Sequence, residues 1–237
     1  HIQTLVNAIN FLLGNQGTTL GFERFSNQKR GDDGRFETLV SEMESGNIAA
    51  LLIYGVNPAY DYYNAAKFVD ALKKVKLTVS FGETPDETTK LCTYACPDHH
   101  FLESWGDAEP YHGIYSLAQP TIHPIFDTRQ AAESLLKWAG NPTDFHSFIK
   151  KFWEENLYPK QSEYPAFNDF WNYTLQKGVF EIQLEPYACP LYNFDYLNSL
   201  VPSMPAGIAA SEIELTLYEK VGIASGKQAN NPWLQEL

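Results

Sequence analysis

The reading of this 237-residue chain turns on one stretch, Asn47-Ile48-Ala49-Ala50-Leu51-Leu52-Ile53-Tyr54-Gly55-Val56-Asn57-Pro58-Ala59. From Ala49 to Tyr54 the run is apolar without alternation, which suits a strand buried on both faces of a parallel sheet. It stops at Gly55, and Asn57-Pro58 punctuates a turn. A helical pattern follows, with Ala65, Phe68, Val69, Leu72 and Val75 on one face. A second strand is expected at Leu77 to Phe81, which completes a βαβ unit. Ligands of open parallel sheets sit at the carboxyl ends of the strands, where this turn lies. Gly55 lets a ligand approach the backbone, and Asn57 offers both a donor and an acceptor. A tight strand-to-helix turn in any α/β domain has the same form, so the pattern alone names no ligand.

Outward from this unit, the chain reads as helices separated by glycine stops. Ile2 to Leu13 carries Leu5, Ala8, Ile9 and Leu12 on one stripe and ends at Gly14. A helix that begins so abruptly points to a chain cut out of something longer. Gly14 to Gly34 is polar and loop-like. Phe36 to Ser45 is a second helix, stopped by Gly46. Asp61 is the expected N-cap of the helix after the Asn57-Pro58 turn.

Beyond the second strand, the loop Gly82 to Glu87 carries Glu83, Asp86 and Glu87. An acidic residue in this place commonly takes a ribose hydroxyl, whereas Asp86 and Glu87 also suit the start of a short helix. Thr93 to Cys96 is a third short strand, closed by Pro97. The tract Asp98 to Asp107 holds the His99-His100 pair among carboxylates, but its spacing matches no metal-ligand pattern. Gly113 to Pro124 reads as a long surface crossing.

Three helices follow: Asp127 to Gly140 with an Asp127-x-x-Gln130 capping arrangement, Thr143 to Leu157, and Phe167 to Lys177 before Gly178. Their aromatic stripes read as core packing. Val179 to Leu184 is a short strand and Pro186 to Pro205 is irregular. Glu212 to Tyr218 alternates like a half-exposed strand. Asn172-Tyr173-Thr174 matches a glycosylation acceptor but falls within an expected helix.

The bulk numbers bound the function. A net charge of -12 argues against nucleic acid and against an anionic membrane surface. Apolar residues make up 44% and aromatics 14%, enough for a sizeable core. No run is long enough to span a membrane. Cys92, Cys96 and Cys189 are an odd count, spaced neither for a zinc knuckle nor for a redox pair. There is no nucleophile elbow, phosphate-binding loop or His-Glu-x-x-His motif.

Several stretches in order resemble one family. They are Leu12-Leu13-Gly14-Asn15-Gln16-Gly17, Leu52 through Tyr60, Glu87-Thr88 through Pro97, Leu102-Glu103-Ser104-Trp105-Gly106-Asp107, Gln119-Pro120, and Asn231-Pro232-Trp233-Leu234. Together they resemble the molybdopterin oxidoreductases, or complex iron-sulfur molybdoenzymes. The likeness is strongest to the Tat-variant-translocated branch, which includes the iron-sulfur subunit of alternative complex III.

The resemblance implies an α/β fold with a Rossmann-like, mostly parallel sheet, helices on both faces and a helical insertion. It places a molybdopterin-dinucleotide-type domain at 1–140, the insertion at 141–185, and a return segment at 186–237 that starts a truncated following domain. Carried over, Tyr54, Gly55, Val56, Asn57 and Pro58 would line the phosphate path of a molybdopterin guanine dinucleotide. Glu83 and Thr84 would face its nucleotide end. Asp98, Glu103 and Gly106 would belong to the loop that closes over it.

No catalytic or metal-ligating residue is expected here, and the iron-sulfur clusters would lie elsewhere in the whole subunit. The family's Gly-Arg-Gln run is replaced by Tyr111-His112-Gly113-Ile114-Tyr115-Ser116. That departure agrees with the alternative complex III branch, which keeps the fold without molybdenum, so no cofactor is expected in this piece.

The implied role is a non-catalytic scaffold in a quinol-oxidising respiratory subunit. Its partners would be the subunit's other domains and membrane-bound subunits, on the periplasmic side and exported by the Tat route. Two alternatives stand beside it. One is the pterin-binding domain of an active polysulfide or thiosulfate reductase-type enzyme. The other is a free-standing nucleotide-binding protein.

Overall fold

A computed structural model describes residues 2–28, 30–185, 191–200, 202, 213, 215–219, 221–224, 226, 228–229 and 231–236. The chain divides into two compact units, Ser26–Gln183 and His1–Phe25 with Leu184–Leu237. Elements follow in chain order. Helix α1 is Ile2–Leu12 and α2 is Asp33–Glu44. Strand β1 is Ala50–Ile53, followed by the short α3 at Pro58–Asp61 and α4 at Ala65–Leu72. Then come β2 at Leu77–Ser80, β3 at Tyr94–Ala95, β4 at Gly106–Tyr111 and β5 at Ile114–Ala118. Helices α5, α6 and α7 occupy Ala131–Trp138, Phe145–Asn156 and Phe167–Lys177. Strand β6 is Val179–Glu181, α8 is Phe194–Leu200 and α9 is Pro232–Gln235.

The expected βαβ unit forms. β1 pairs β2 in parallel, with Ile53 opposite Ser80, and β2 pairs β3 in parallel. The sheet order is therefore β1-β2-β3. On one face, Ile53 joins Val40 and Met43 of α2 and Phe68, Ala71 and Leu72 of α4 in a single core. On the other, Val79 and Phe81 meet Ala131 of α5. Helices thus lie on both faces, as expected for the α/β class.

The strand at the centre of the sequence reading is not buried on both faces. Ile53 is 5% exposed, but Leu52 is 48% exposed. β1 is an edge strand, and α5 packs over the part of the sheet built by β2 rather than over β1.

A second sheet lies in the same unit, of order β4-β5-β6 and antiparallel throughout. It corrects the reading of Gly113 to Pro124 as a surface crossing, because Ile114–Ala118 is its central strand. Against it pack α6 and α7, whose Ile149, Trp153, Phe170 and Trp171 form an aromatic core with Tyr115 and Phe180. Edge-to-face ring pairs such as Phe170–Phe180, at 4.9 Å and 86°, hold that core beyond simple burial.

The glycine stops at Gly14, Gly46, Gly140 and Gly178 all take positive φ and end helices. Two caps differ from expectation. Asp61 lies inside α3, and Asn64 caps α4 by accepting from Lys67 N–H. Asp127 does not cap α5, whose first amide, Ala131 N–H, is satisfied by Asp98 at 2.7 Å.

In the other unit, Phe11 of α1 packs on Tyr192 and Phe194, and Tyr192 donates to Thr4 O. Of the apolar stripe on α1, only Ala8 is buried; Leu5, Ile9 and Leu12 remain exposed. The span Pro186 to Pro205, read as irregular, contains α8. Of the strand expected at Glu212 to Tyr218, Glu212 and Glu214 lie outside the described residues, as does Cys189. Ile213 and Leu215 to Tyr218 form no strand and are exposed.

One glycine is fixed by space rather than by φ. A Cβ on Gly82, just past β2, would stand 2.8 Å from Thr89 Oγ1 and 3.3 Å from the Thr84 carbonyl oxygen. Gly82→Ala is therefore expected to destabilise the chain by about 1–3 kcal/mol. Gly31→Ala, whose Cβ meets nothing within 4 Å, should stay within about 0.5 kcal/mol. Urea unfolding of both variants checks the pair.

Candidate functional site

The carboxyl ends of β1, β2 and β3 form one rim. Tyr54 follows β1, Glu83 and Thr84 follow β2, and Asp98 follows β3. Tyr54 is 65% exposed, and its ring meets Phe81 edge-on at 6.3 Å. Its hydroxyl is pushed above the ordinary tyrosine value, first by partial burial and then by Asp98 and Glu83. The charged side chains that converge on this tyrosine are therefore both carboxylates. Asp98 is fixed from its own side: Oδ1 accepts from His99 N–H at 2.8 Å and from Ala131 N–H at 2.7 Å.

The turn after β1 is tied down rather than open. Gly55 has φ +65 and a clear space where a Cβ would be, so the left-handed conformation is what requires glycine there. Asn57 engages both the oxygen and the nitrogen of its carboxamide. Oδ1 accepts from the Thr88 hydroxyl at 2.6 Å and from Thr88 N–H at 3.1 Å. Nδ2 donates to Glu87 at 2.7 Å. The Thr88 hydroxyl in turn accepts from Ala59 N–H at 2.9 Å. Thr88 and Pro58 are buried, while Val56 is 52% exposed.

Glu87 is held below the ordinary carboxylate range, first by Asn57. The neighbouring turn closes through Asp86, which accepts from Thr89 N–H at 2.7 Å. Ser80 and Thr89 hydroxyls meet at 2.7 Å beneath Gly82.

Glu103 and Gly106 serve other places. Glu103 accepts from Ile125 N–H and His100 N–H, and these bonds hold its carboxyl below the usual range. It thereby pins two loops together. Gly106 opens β4, paired with Ala118. The structure thus gathers Tyr54, Glu83 and Asp98 at one rim and commits Asn57 to a clasp. Sequence reasoning missed Thr88 as the centre of that clasp. The signal available was a threonine after three acidic residues, opposite an Asn-Pro turn.

Beside the rim, Cys96, Pro97, Asp127, Thr128, Arg129 and Ser134 line a cleft of about 480 Å³. Arg129 Nε donates to Ser134 Oγ at 2.8 Å. Cys92 and Cys96 are free thiols, and burial pushes the Cys92 thiol up. Among the described residues, no group of three His, Cys, Asp or Glu side chains could hold a metal ion. Among those residues, no helix is long and apolar enough to cross a membrane.

No family model matches the chain. A stretch of 95 residues is 36% identical to the menaquinone reductase, molybdopterin-binding-like subunit of Nitratidesulfovibrio vulgaris. The chain is related, over that stretch, to a molybdopterin-binding-like subunit. The match covers 38% of this chain and 14% of that protein, so the chain spans a small part of the relative's length. Among solved structures, acetylene hydratase from Pelobacter acetylenicus superposes with a TM-score of 0.40 at 17% identity, over 64% of this chain and 21% of that one.

Removing the hub of the clasp should be costly. Thr88→Val leaves Ala59 N–H without its partner and the Asn57 oxygen with the Thr88 N–H alone, and should lower stability by about 1–3 kcal/mol. The exposed Thr84→Val should stay within about 0.5 kcal/mol; denaturant midpoints compare them. The acid limb follows from Glu87. Its folded value lies below its unfolded one, so its contribution is present at neutral pH and lost as pH falls through that lowered value. Glu87→Gln should flatten that limb in a pH series of unfolding midpoints.

Proposed function

We propose that this chain is a Rossmann-like scaffold domain of a molybdopterin oxidoreductase-related subunit, working in a quinol-oxidising respiratory complex without catalysis of its own. The observation that carries the reading is the clasp at the strand ends, which holds the Asn57 carboxamide on Thr88 and Glu87. A pyrophosphate brought to that rim would also meet Glu83 and Asp98, the carboxylates that follow β2 and β3, whose charge opposes its own. The turn that would have to answer with hydrogen bonds has its Asn57 side chain committed to Thr88 and Glu87. The residues at this rim therefore do not fit a molybdopterin guanine dinucleotide. Arg129 lies in the adjoining cleft. Its guanidinium already donates to Ser134.

The relative's name supports a quinone-linked setting; quinol oxidation as the direction of electron flow is the proposal's own. In this setting iron-sulfur clusters in other domains carry the electrons. The partners are those domains and membrane-bound subunits, on the periplasmic side of a bacterial inner membrane reached by the Tat route.

Calorimetry of this chain with GDP should show no saturable heat. The full-length subunit, isolated from its native membrane, should yield neither molybdenum nor guanine nucleotide in stoichiometric amount. A one-to-one yield of either overturns the scaffold reading in favour of an active molybdoenzyme.

A further inference from the structure

A groove of about 340 Å³ lies between the antiparallel sheet and α6, far along the chain from the rim. One wall carries Asp107 and Glu109, two apart on β4 and so on the same side of the strand. The other carries Phe145, Phe148 and Phe152 of α6, with Tyr115 of β5 beside them. Phe148 and Phe152 are 41% and 42% exposed. The α6 stripe is therefore wider than the core beneath it, which Ile149 and Trp153 already fill at 2% and 0% exposure. Phe145 and Phe148 stack at 6.2 Å, offering a continuous aromatic wall.

The carboxylates have different duties. Glu109 Oε1 accepts from Gly113 N–H at 2.8 Å and faces His112 Nδ1 at 3.1 Å. Asp107 takes part in no ion pair among the described residues. It is held by an uncharged donor instead, the indole N–H of the fully buried Trp153, at 2.9 Å. A carboxylate aimed by a buried indole and set beside exposed rings favours a cation with apolar flanks. The basic group already nearby, Lys160, sits over Tyr115 at 5.9 Å from the ring centroid and shows that this ring accepts a cation.

We propose that this groove docks an arginine of a polypeptide partner, the guanidinium on Asp107 and its apolar neighbours on Phe148 and Phe152. Arginine fits better than lysine because its planar fork both pairs with a carboxylate and stacks on a ring. The cleft is larger than one guanidinium and its stem, and its remaining wall is phenyl, so the occupant brings apolar side chains with its cation. The net charge of -12 favours a basic partner. The inference stands apart from the scaffold reading and survives its failure.

The Trp153 indole N–H reports directly on Asp107. In the full chain labelled with nitrogen-15 tryptophan, its resonance is identified by loss in Trp153→Phe. Acetyl-Leu-Arg-Phe-amide should shift that resonance saturably. Acetyl-Leu-Gln-Phe-amide should bind at least about tenfold more weakly. Asp107→Asn keeps an oxygen to accept the indole N–H but removes the charge, and should weaken the arginine peptide by a similar factor. If that variant loses its fold, judged by the other indole resonances, Phe148→Ala takes its place and must weaken binding at least about threefold.

Equal shifts by both peptides overturn the proposal, as does unchanged affinity in Asp107→Asn or, in its place, Phe148→Ala. Guanidinium ion matching the peptide means a small-cation site rather than a polypeptide dock. A shift that grows with protein concentration alone means that a second copy fills the groove.

Discussion

The buried hydroxyl of Thr88 is the point on which the parallel half of this molecule depends. It donates to Asn57 at 2.6 Å and accepts from Ala59 N–H at 2.9 Å. One side chain thereby ties the turn leaving β1 to the connection between β2 and β3. A hydroxyl at 0% exposure has both roles filled, so neither the turn nor the connection can move without stranding a polar group. Two glycines flank it: Gly55 turns the chain toward α3 with positive φ, and Gly82 leaves room for the Thr89 hydroxyl on Ser80.

The clasp decides what the rim can offer. With Asn57 engaged, the side chains that converge at the strand ends are a tyrosine and two carboxylates. A fold whose strand ends commonly serve phosphates presents negative charge here instead. The second sheet carries the same theme by other means. There a carboxylate, Asp107, is oriented by a buried indole and left beside phenyl rings.

Much of this was legible because it is local. The apolar run, the glycine after it and the period of the next helix define the βαβ unit within about three dozen residues, the size typical of that motif. Phe167–Lys177 forms as expected, since its aromatic spacing and Gly178 agree. What escaped is non-local or lacks alternation. Gly106–Tyr111 contains Pro110 and two acidic residues, so nothing in it reads as a strand until β5 pairs with it. Asp98 caps a helix that starts 33 residues later, and Asn57 meets a partner 31 residues away. Tyr54, Glu83 and Asp98 follow the carboxyl ends of β1, β2 and β3, the position the sequence pattern gave them. The role of Asn57 was hidden because a free carboxamide and a clasped one have the same sequence.

The clasp can be read directly from the Asn57 side-chain amide by nitrogen-15 NMR. The account predicts two resolved Nδ2 protons, the one bonded to Glu87 slowed in exchange and both unmoved when GDP is added. A pair that exchanges freely with water, or that shifts saturably with the nucleotide, would contradict it.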